Sequence, residues 1–256
     1  MLYYRDKGKG KGVVFLHGFL ENSRMWRYFQ NRLSKKYRVI VVDLPGHGRS
    51  SKKTKEVNRM EDMAEGVNEV LEYLKIEEVV VIGHSMGGYV ALAFADRYKY
   101  KVLGLGLFYS TTLPDDDAKK EQRLKAAEVV VKNPKEFFRL SIPNLFAQEN
   151  LPKLQLEIKK AISWAKHASL TGISAALKGM RLRQDRTDVV RNLGKPVLVI
   201  TGKYDNTVKK ADELERTLEG IENISFYNLP TGHMGALEAP EENLKIIGDW
   251  LDENFK

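Results

Sequence analysis

A chain of 256 residues with 43% hydrophobic side chains can bury one α/β core and still carry an insertion. It has no cysteine, which excludes disulfides, thiolate nucleophiles and cysteine-ligated metals. Its net charge of +8 comes from lysines interspersed with glutamates, not gathered beside stacking aromatics, so it reads as a solvated surface and not as a nucleic-acid footprint. No apolar run approaches the roughly 18 residues that span a bilayer. The opening Met1-Leu2-Tyr3-Tyr4-Arg5-Asp6 turns polar at once, without the apolar stretch of a secretory signal. The expectation is a cytoplasmic protein with no membrane or nucleic-acid partner, a monomer or a homodimer.

In chain order, Gly8-Lys9-Gly10-Lys11-Gly12 reads as a hairpin turn before a strand over 13–16. A helix over 23–36 and a strand over 39–42 follow. The next helix, over 60–74, places Met60, Met63, Val67, Val70, Leu71 and Leu74 on one face. A strand over 79–82, a small-residue helix over 88–95 and a strand over 102–108 complete the first half. Continuous apolar runs alternating with helices predict a mostly parallel sheet flanked by helices. From Thr111 to Gly194 only helical segments occur, broken at Pro114, Pro134, Pro143, Pro152 and Gly172. Strands over 197–200 and 224–227 then return, with helices over 208–219 and 241–253. The organisation predicted is a core of residues 1–110 and 195–256, with a helical cap over 111–194 above the carboxyl edge of the sheet.

Gly83-His84-Ser85-Met86-Gly87 joins the strand over 79–82 to its helix. A serine on a strand–turn–helix, with glycines two before and two after, has the form of a nucleophile elbow. The turn is tight enough that its neighbours cannot carry bulky side chains. Serine needs a base, and the base needs a group that fixes its tautomer. Of the five histidines, His233 follows the last strand at the edge where the elbow lies, and is the candidate base. His84 adjoins the serine but is expected to point away; His17 lies at the end of a strand, His47 in a turn and His167 in the cap. Asp205, just past the strand over 197–200, is the candidate acid. It could instead cap the following helix, beside Asn206 and Thr207, and Asp115, Asp116 and Asp117 offer an acid from the neighbouring strand end. The backbone N–H groups of Phe19 and Met86 are the candidate oxyanion donors.

The segments His17-Gly18-Phe19, Asp43-Leu44-Pro45-Gly46-His47-Gly48-Arg49-Ser50, Gly83-His84-Ser85-Met86-Gly87-Gly88, Gly202-Lys203-Tyr204-Asp205 and Gly232-His233-Met234 occur in this order. Together they make the chain resemble an α/β-hydrolase-fold serine hydrolase of the capped bacterial esterase type, from about residue 2 to residue 255. The resemblance implies an eight-stranded sheet with the second strand antiparallel, and a triad of Ser85, Asp205 and His233. It implies a structural role for Gly48 and Arg49. Serine at the elbow argues against the relatives that use aspartate there.

The expected reaction is cleavage of a small-molecule carboxylic ester or thioester. C–C bond hydrolysis or a menaquinone-pathway-type synthase reaction on the same triad is the alternative, and a non-catalytic ligand receptor is a third reading. No cofactor or metal is expected, because G-x-G-x-x-G, G-x-x-x-x-G-K-[ST] and H-E-x-x-H are all absent. Leu20, Trp26, Phe137, Phe138, Phe146, Trp164 and Met234 are candidates for the substrate pocket. The cap holds 16 Lys/Arg against 10 Asp/Glu, a pattern that fits either a solvated surface or an anionic substrate or acyl carrier.

Overall fold

The computed structural model describes residues 1–208 and 211–255, apart from the side chain of Ala211. The first half runs β1 (Tyr4–Lys7), β2 (Gly12–Leu16), α1 (Arg27–Leu33), β3 (Arg38–Val42), α2 (Met60–Tyr73), β4 (Val79–His84), α3 (Met86–Arg97) and β5 (Val102–Phe108). Then come α4 (Asp117–Lys132), α5 (Pro134–Ser141), α6 (Gln155–Ala165), α7 (Leu170–Arg181) and α8 (Thr187–Arg191). The chain returns through β6 (Val197–Gly202), α9 (Ala211–Leu218), β7 (Ile224–Leu229), α10 (Gly235–Glu238) and α11 (Pro240–Asn254). The helix expected over 208–219 is thus seen as α9; Lys209 and Lys210 lie outside the described residues.

The described strands form one seven-stranded sheet in the order β1-β3-β2-β4-β5-β6-β7. All neighbours are parallel except β1 and β3. Every residue of β2, β4 and β6 is buried, as the unbroken apolar runs require of strands covered on both faces. The flanking helices pack in pairs, α1 with α11 and α2 with α3. On α2 the positions Met60, Met63, Val67, Val70 and Leu71 are buried, each contributing about 1.5–3 kcal/mol of transfer free energy. At the sheet's centre Trp26 packs on Phe15, Phe29 and Phe108 with ring centroids 4.8–5.3 Å apart.

Three expectations are corrected. The sheet has seven described strands instead of eight, and the antiparallel one is the first. Before β1, Tyr3 is held by Ser50 Oγ and by the Asp43 N–H, so its backbone groups serve the loop after β3 and no further strand. Gly8 to Gly12 is not a hairpin turn, because β3 lies between β1 and β2. The connection instead crosses closely over the end of α1: Gly8 has φ +92°, and a Cβ there would sit 2.6 Å from the Ser34 carbonyl oxygen. The helix expected over 23–36 is a 3-10 turn, Ser23–Trp26, leading into the shorter α1. The Asn22 side chain accepts the Arg24 N–H, and Asp43 Oδ1 accepts the Ser23 N–H at 2.6 Å, which opens the segment as a tight turn.

The helices between β5 and β6 are anchored to the sheet's loops. The Arg123 and Arg183 guanidiniums both reach Asp115, tying α4 and α7 to the segment after β5. The Ser169 N–H donates to the Gly46 carbonyl at 3.0 Å, and a Cβ on Gly46 would lie 2.5 Å from the Gly172 Cα. The two glycines let backbone meet backbone at that contact. Among the described residues no helix is long and apolar enough to cross a membrane.

Candidate active site

Ser85 links β4 to α3 with φ +50° and ψ −115°, a left-handed conformation that costs a non-glycine residue about 1–3 kcal/mol. The surroundings hold it there. Its N–H donates to the Phe108 carbonyl at 3.1 Å, and its own carbonyl accepts from Ser110 Oγ at 2.8 Å. A Cβ on Gly83 would run into the Gly87 backbone, and one on Gly87 would sit 2.5 Å from the Leu16 carbonyl oxygen. The glycine spacing read in the sequence is therefore a steric requirement of a turn pressed against β2. Ser85 is 7% exposed.

Asp205 follows β6, and His233 lies in the loop between β7 and α10. His233 Nδ1 is 2.6 Å from Asp205 Oδ2, and both side chains are almost wholly buried. Because the carboxylate accepts, His233 carries a proton on Nδ1. The other oxygen, Asp205 Oδ1, accepts the N–H groups of Thr207 at 2.7 Å and Val208 at 3.0 Å. One oxygen thus closes the turn over Thr207 and Val208, and the other meets His233. Burial alone would push this carboxyl up, but His233 and the two N–H donors hold it below the ordinary 3.8.

The loop after β2 supplies the third element. Leu20 sits at φ +64°, the Glu21 N–H donates to the Gly18 carbonyl at 3.3 Å, and the Gly18 N–H donates to Glu21 Oε2 at 2.6 Å. Neither the Phe19 N–H nor the Met86 N–H donates to an acceptor among the described residues. Asp43 steadies this region from below, with Oδ1 on the Ser23 N–H and Oδ2 on the Arg49 N–H at 2.8 Å. A Cβ on Gly48 would collide with that carboxylate.

The remaining sequence candidates are spread. Leu20, Phe138, Phe146, Trp164 and Met234 are buried, and Phe137 is half-buried against Phe138. Phe146 adjoins the loop of His233, whose N–H donates to the Leu145 carbonyl at 2.7 Å; the Trp164 carbonyl accepts from Asn22 Nδ2 at 3.3 Å. Trp26 is fully enclosed in the central aromatic cluster. Asp116 caps α4 through the Lys119 N–H, and Asp115 is engaged by arginines. His167 is exposed and bridges toward Arg24 at 3.3 Å. A cleft of about 390 Å³ lined by Tyr89, Thr111, Asp115, Arg123, Arg183 and Val208 opens nearby, but neither Ser85 nor His233 lines it.

Sequence reasoning missed several residues that hold the site together. Tyr109, at φ +48° and fully buried, reaches Thr231 Oγ1 at 2.7 Å and fills the space that side chains on Gly202 and Gly235 would need. Glu238 Oε2 accepts from the Ala147 N–H and Asn150 Nδ2 at 3.1 Å. His84 meets the His233 carbonyl with one ring nitrogen and Glu21 with the other.

A mostly parallel sheet that presents a strained serine, a carboxylate-bound histidine and unengaged backbone N–H groups at its carboxyl end defines a hydrolase-type scaffold. Residues 12–117 match the model of the alpha/beta hydrolase fold family. A solved thermophilic esterase of Thermogutta terrifontis is 32% identical, with a TM-score of 0.93 over all of this chain and 94% of that one. An esterase of Exiguobacterium antarcticum is 25% identical, with a TM-score of 0.86 over 98% and 95% of the two chains. The Bacillus subtilis AB hydrolase superfamily protein YisY is 25% identical over 97% of this chain and 94% of its own length. The chain belongs to the α/β-hydrolase fold family.

Proposed function

We propose that this protein hydrolyses small to medium carboxylic esters, thioesters included, through an acyl-enzyme on Ser85, with His233 as base and Asp205 as its orienting acid. In this reading His233 Nε2 takes the Ser85 proton as Oγ bonds to the ester carbonyl carbon. The oxyanion is received by the N–H groups of Phe19 and Met86, the latter at the N-terminus of α3. Collapse breaks the bond to the leaving alcohol, which takes the proton from His233. A water deprotonated by His233 then attacks the acyl carbon, releases the carboxylic acid and returns the proton to Ser85.

The observation that carries the reading is the 2.6 Å contact of His233 Nδ1 with Asp205 Oδ2, which leaves Nε2 available as a base. The likeness to bacterial esterases supports it. We assign residues 111–194 the part of a cap, because Leu145, Trp164 and Ser169 bond to the loops of His233, Asn22 and Gly46. The acyl group is assigned to the apolar side chains at that seam, Phe146, Trp164 and Met234. Arg123, Arg183 and Arg186 of the cap face Asp115, Glu61 and Asp96, so these cations are engaged internally and favour a free ester over an anionic carrier.

A panel of p-nitrophenyl esters of graded acyl length, run beside Ser85→Ala, tests the proposal. Turnover with a length optimum in the parent and none in the variant is expected. Cleavage of dienone C–C bonds with no ester turnover would replace the reading by the C–C one.

A further inference from the structure

We propose that Glu21 and His84 form a buried carboxylate–imidazolium clamp that holds the base loop of His233 and the oxyanion loop of Phe19 as one unit. Both are positioning residues, and the inference rests on the roles just proposed for His233 and Phe19.

The acceptors around His84 fix where its protons lie. His84 ends β4, one residue before Ser85, and is 2% exposed. Its Nε2 is 2.9 Å from the backbone carbonyl oxygen of His233. A carbonyl can only accept, so Nε2 carries a proton. Its Nδ1 is 2.9 Å from Glu21 Oε2, which also takes the Gly18 N–H at 2.6 Å. One more proton therefore lies between Glu21 and His84, on the carboxyl or on the ring.

The surroundings place it on the ring. Burial opposes both charges, but each partner outweighs that opposition for the other, so the carboxyl is held below its ordinary range and the imidazole above its own. Asp205 adds to the pull on the imidazolium, and the half-stacked His233 ring lies 4.9 Å away, centroid to centroid. Of the other ionisable groups near it, His17 opposes the charge weakly, and the Tyr109 ring sits 6.2 Å off.

The same acceptor count gives the opposite answer for the other buried histidines. His17 Nδ1 faces the Gly18 carbonyl at 2.8 Å, while its Nε2 accepts the Leu44 N–H at 2.9 Å, which makes a neutral ring. His47 donates to the Pro45 carbonyl, and burial pushes it down to about 3. Only His84 meets an acceptor on each side among the described residues.

The clamp's position gives it its role. Glu21 closes the turn that presents the Phe19 N–H, and His84 grips the carbonyl of His233 itself. Gly18 leaves the room: a Cβ there would lie 2.6 Å from His84 Nδ1 and 2.8 Å from Glu21 Oε2. Neutralising the clamp frees the two loops to drift, and a misplacement of about 1 Å in such a site costs on the order of 10²-fold in rate.

Nitrogen-15 NMR of the histidine-labelled full chain tests this directly. Both His84 nitrogens should be protonated at neutral pH, without titrating through the usual histidine range near 6.5. A neutral His84 with a bare Nδ1 would overturn the clamp. In Glu21→Gln, kcat should fall on the order of 10²-fold with KM little changed, and activity should decline as pH rises through the weakened His84. A Glu21→Gln enzyme with the parent's kcat and pH profile would equally overturn it. A fluorophosphonate that fails to label Ser85 while His84 proves doubly protonated would sink the esterase reading and leave the clamp.

Discussion

The backbone N–H of His233 donates to the carbonyl of Leu145 at 2.7 Å, so the loop carrying the candidate base leans directly on the helical segment between β5 and β6. The contact is close because Gly232 has no side chain: a Cβ there would lie 2.6 Å from the Phe146 carbonyl carbon. Gly232→Ala should push the two segments apart, destabilising the fold by about 1–3 kcal/mol. It should also lower kcat on the order of 10²-fold by shifting His233. Thermal melts and steady-state kinetics check the two effects, and a variant with unchanged kcat would show that this seam does not position the base.

Asp205→Asn separates orientation from folding. The side chain can still accept the Thr207 and Val208 N–H groups through its remaining carbonyl oxygen, so the turn after β6 survives. Its amide cannot hold the Nδ1-protonated form of His233 as a carboxylate does. Turnover should drop about 10⁴-fold with a circular dichroism spectrum like the parent's.

Stability should peak near pH 6.5 and fall on both sides, because His17 and His47, held below 6.5 by burial, must be charged as pH falls below it. Glu21 and Asp205 have folded-state values depressed from the ordinary 4.5 and 3.8, so their contributions are complete above those values and are lost as pH falls through the lower folded ones. His84 is raised from 6.5, so its contribution is complete below 6.5 and is lost as pH rises through the folded value. Tm measured across pH should therefore fall in acid and again in base. A Tm that keeps climbing as pH rises well above 6.5 would contradict the charge assigned to His84.

What could be read from the chain was local. Gly83 and Gly87 betray the elbow because the steric demand of the turn acts on its immediate neighbours. Asp205 and His233 follow from their places after late strands, where a parallel sheet collects its loops at one edge. Contacts between distant segments were not legible. Nothing in Gly8 to Gly12 shows that β3 will lie between β1 and β2, and nothing in Glu21 shows that it will meet His84, 63 positions away. The aromatic residues fared similarly. Trp26 has the composition of a pocket residue, yet its helix turns it into the cluster of Phe15, Phe29 and Phe108.

Catalysis as proposed turns on a covalent intermediate at Ser85, at the head of the strained turn. Intact mass and peptide mapping after reaction with a fluorophosphonate, followed beside p-nitrophenyl ester turnover, measure it most directly. One adduct on Ser85, turnover lost in step with labelling, and neither label nor turnover in Ser85→Ala are expected. Ester turnover that survives in Ser85→Ala, or an adduct on another residue, would contradict the proposed intermediate.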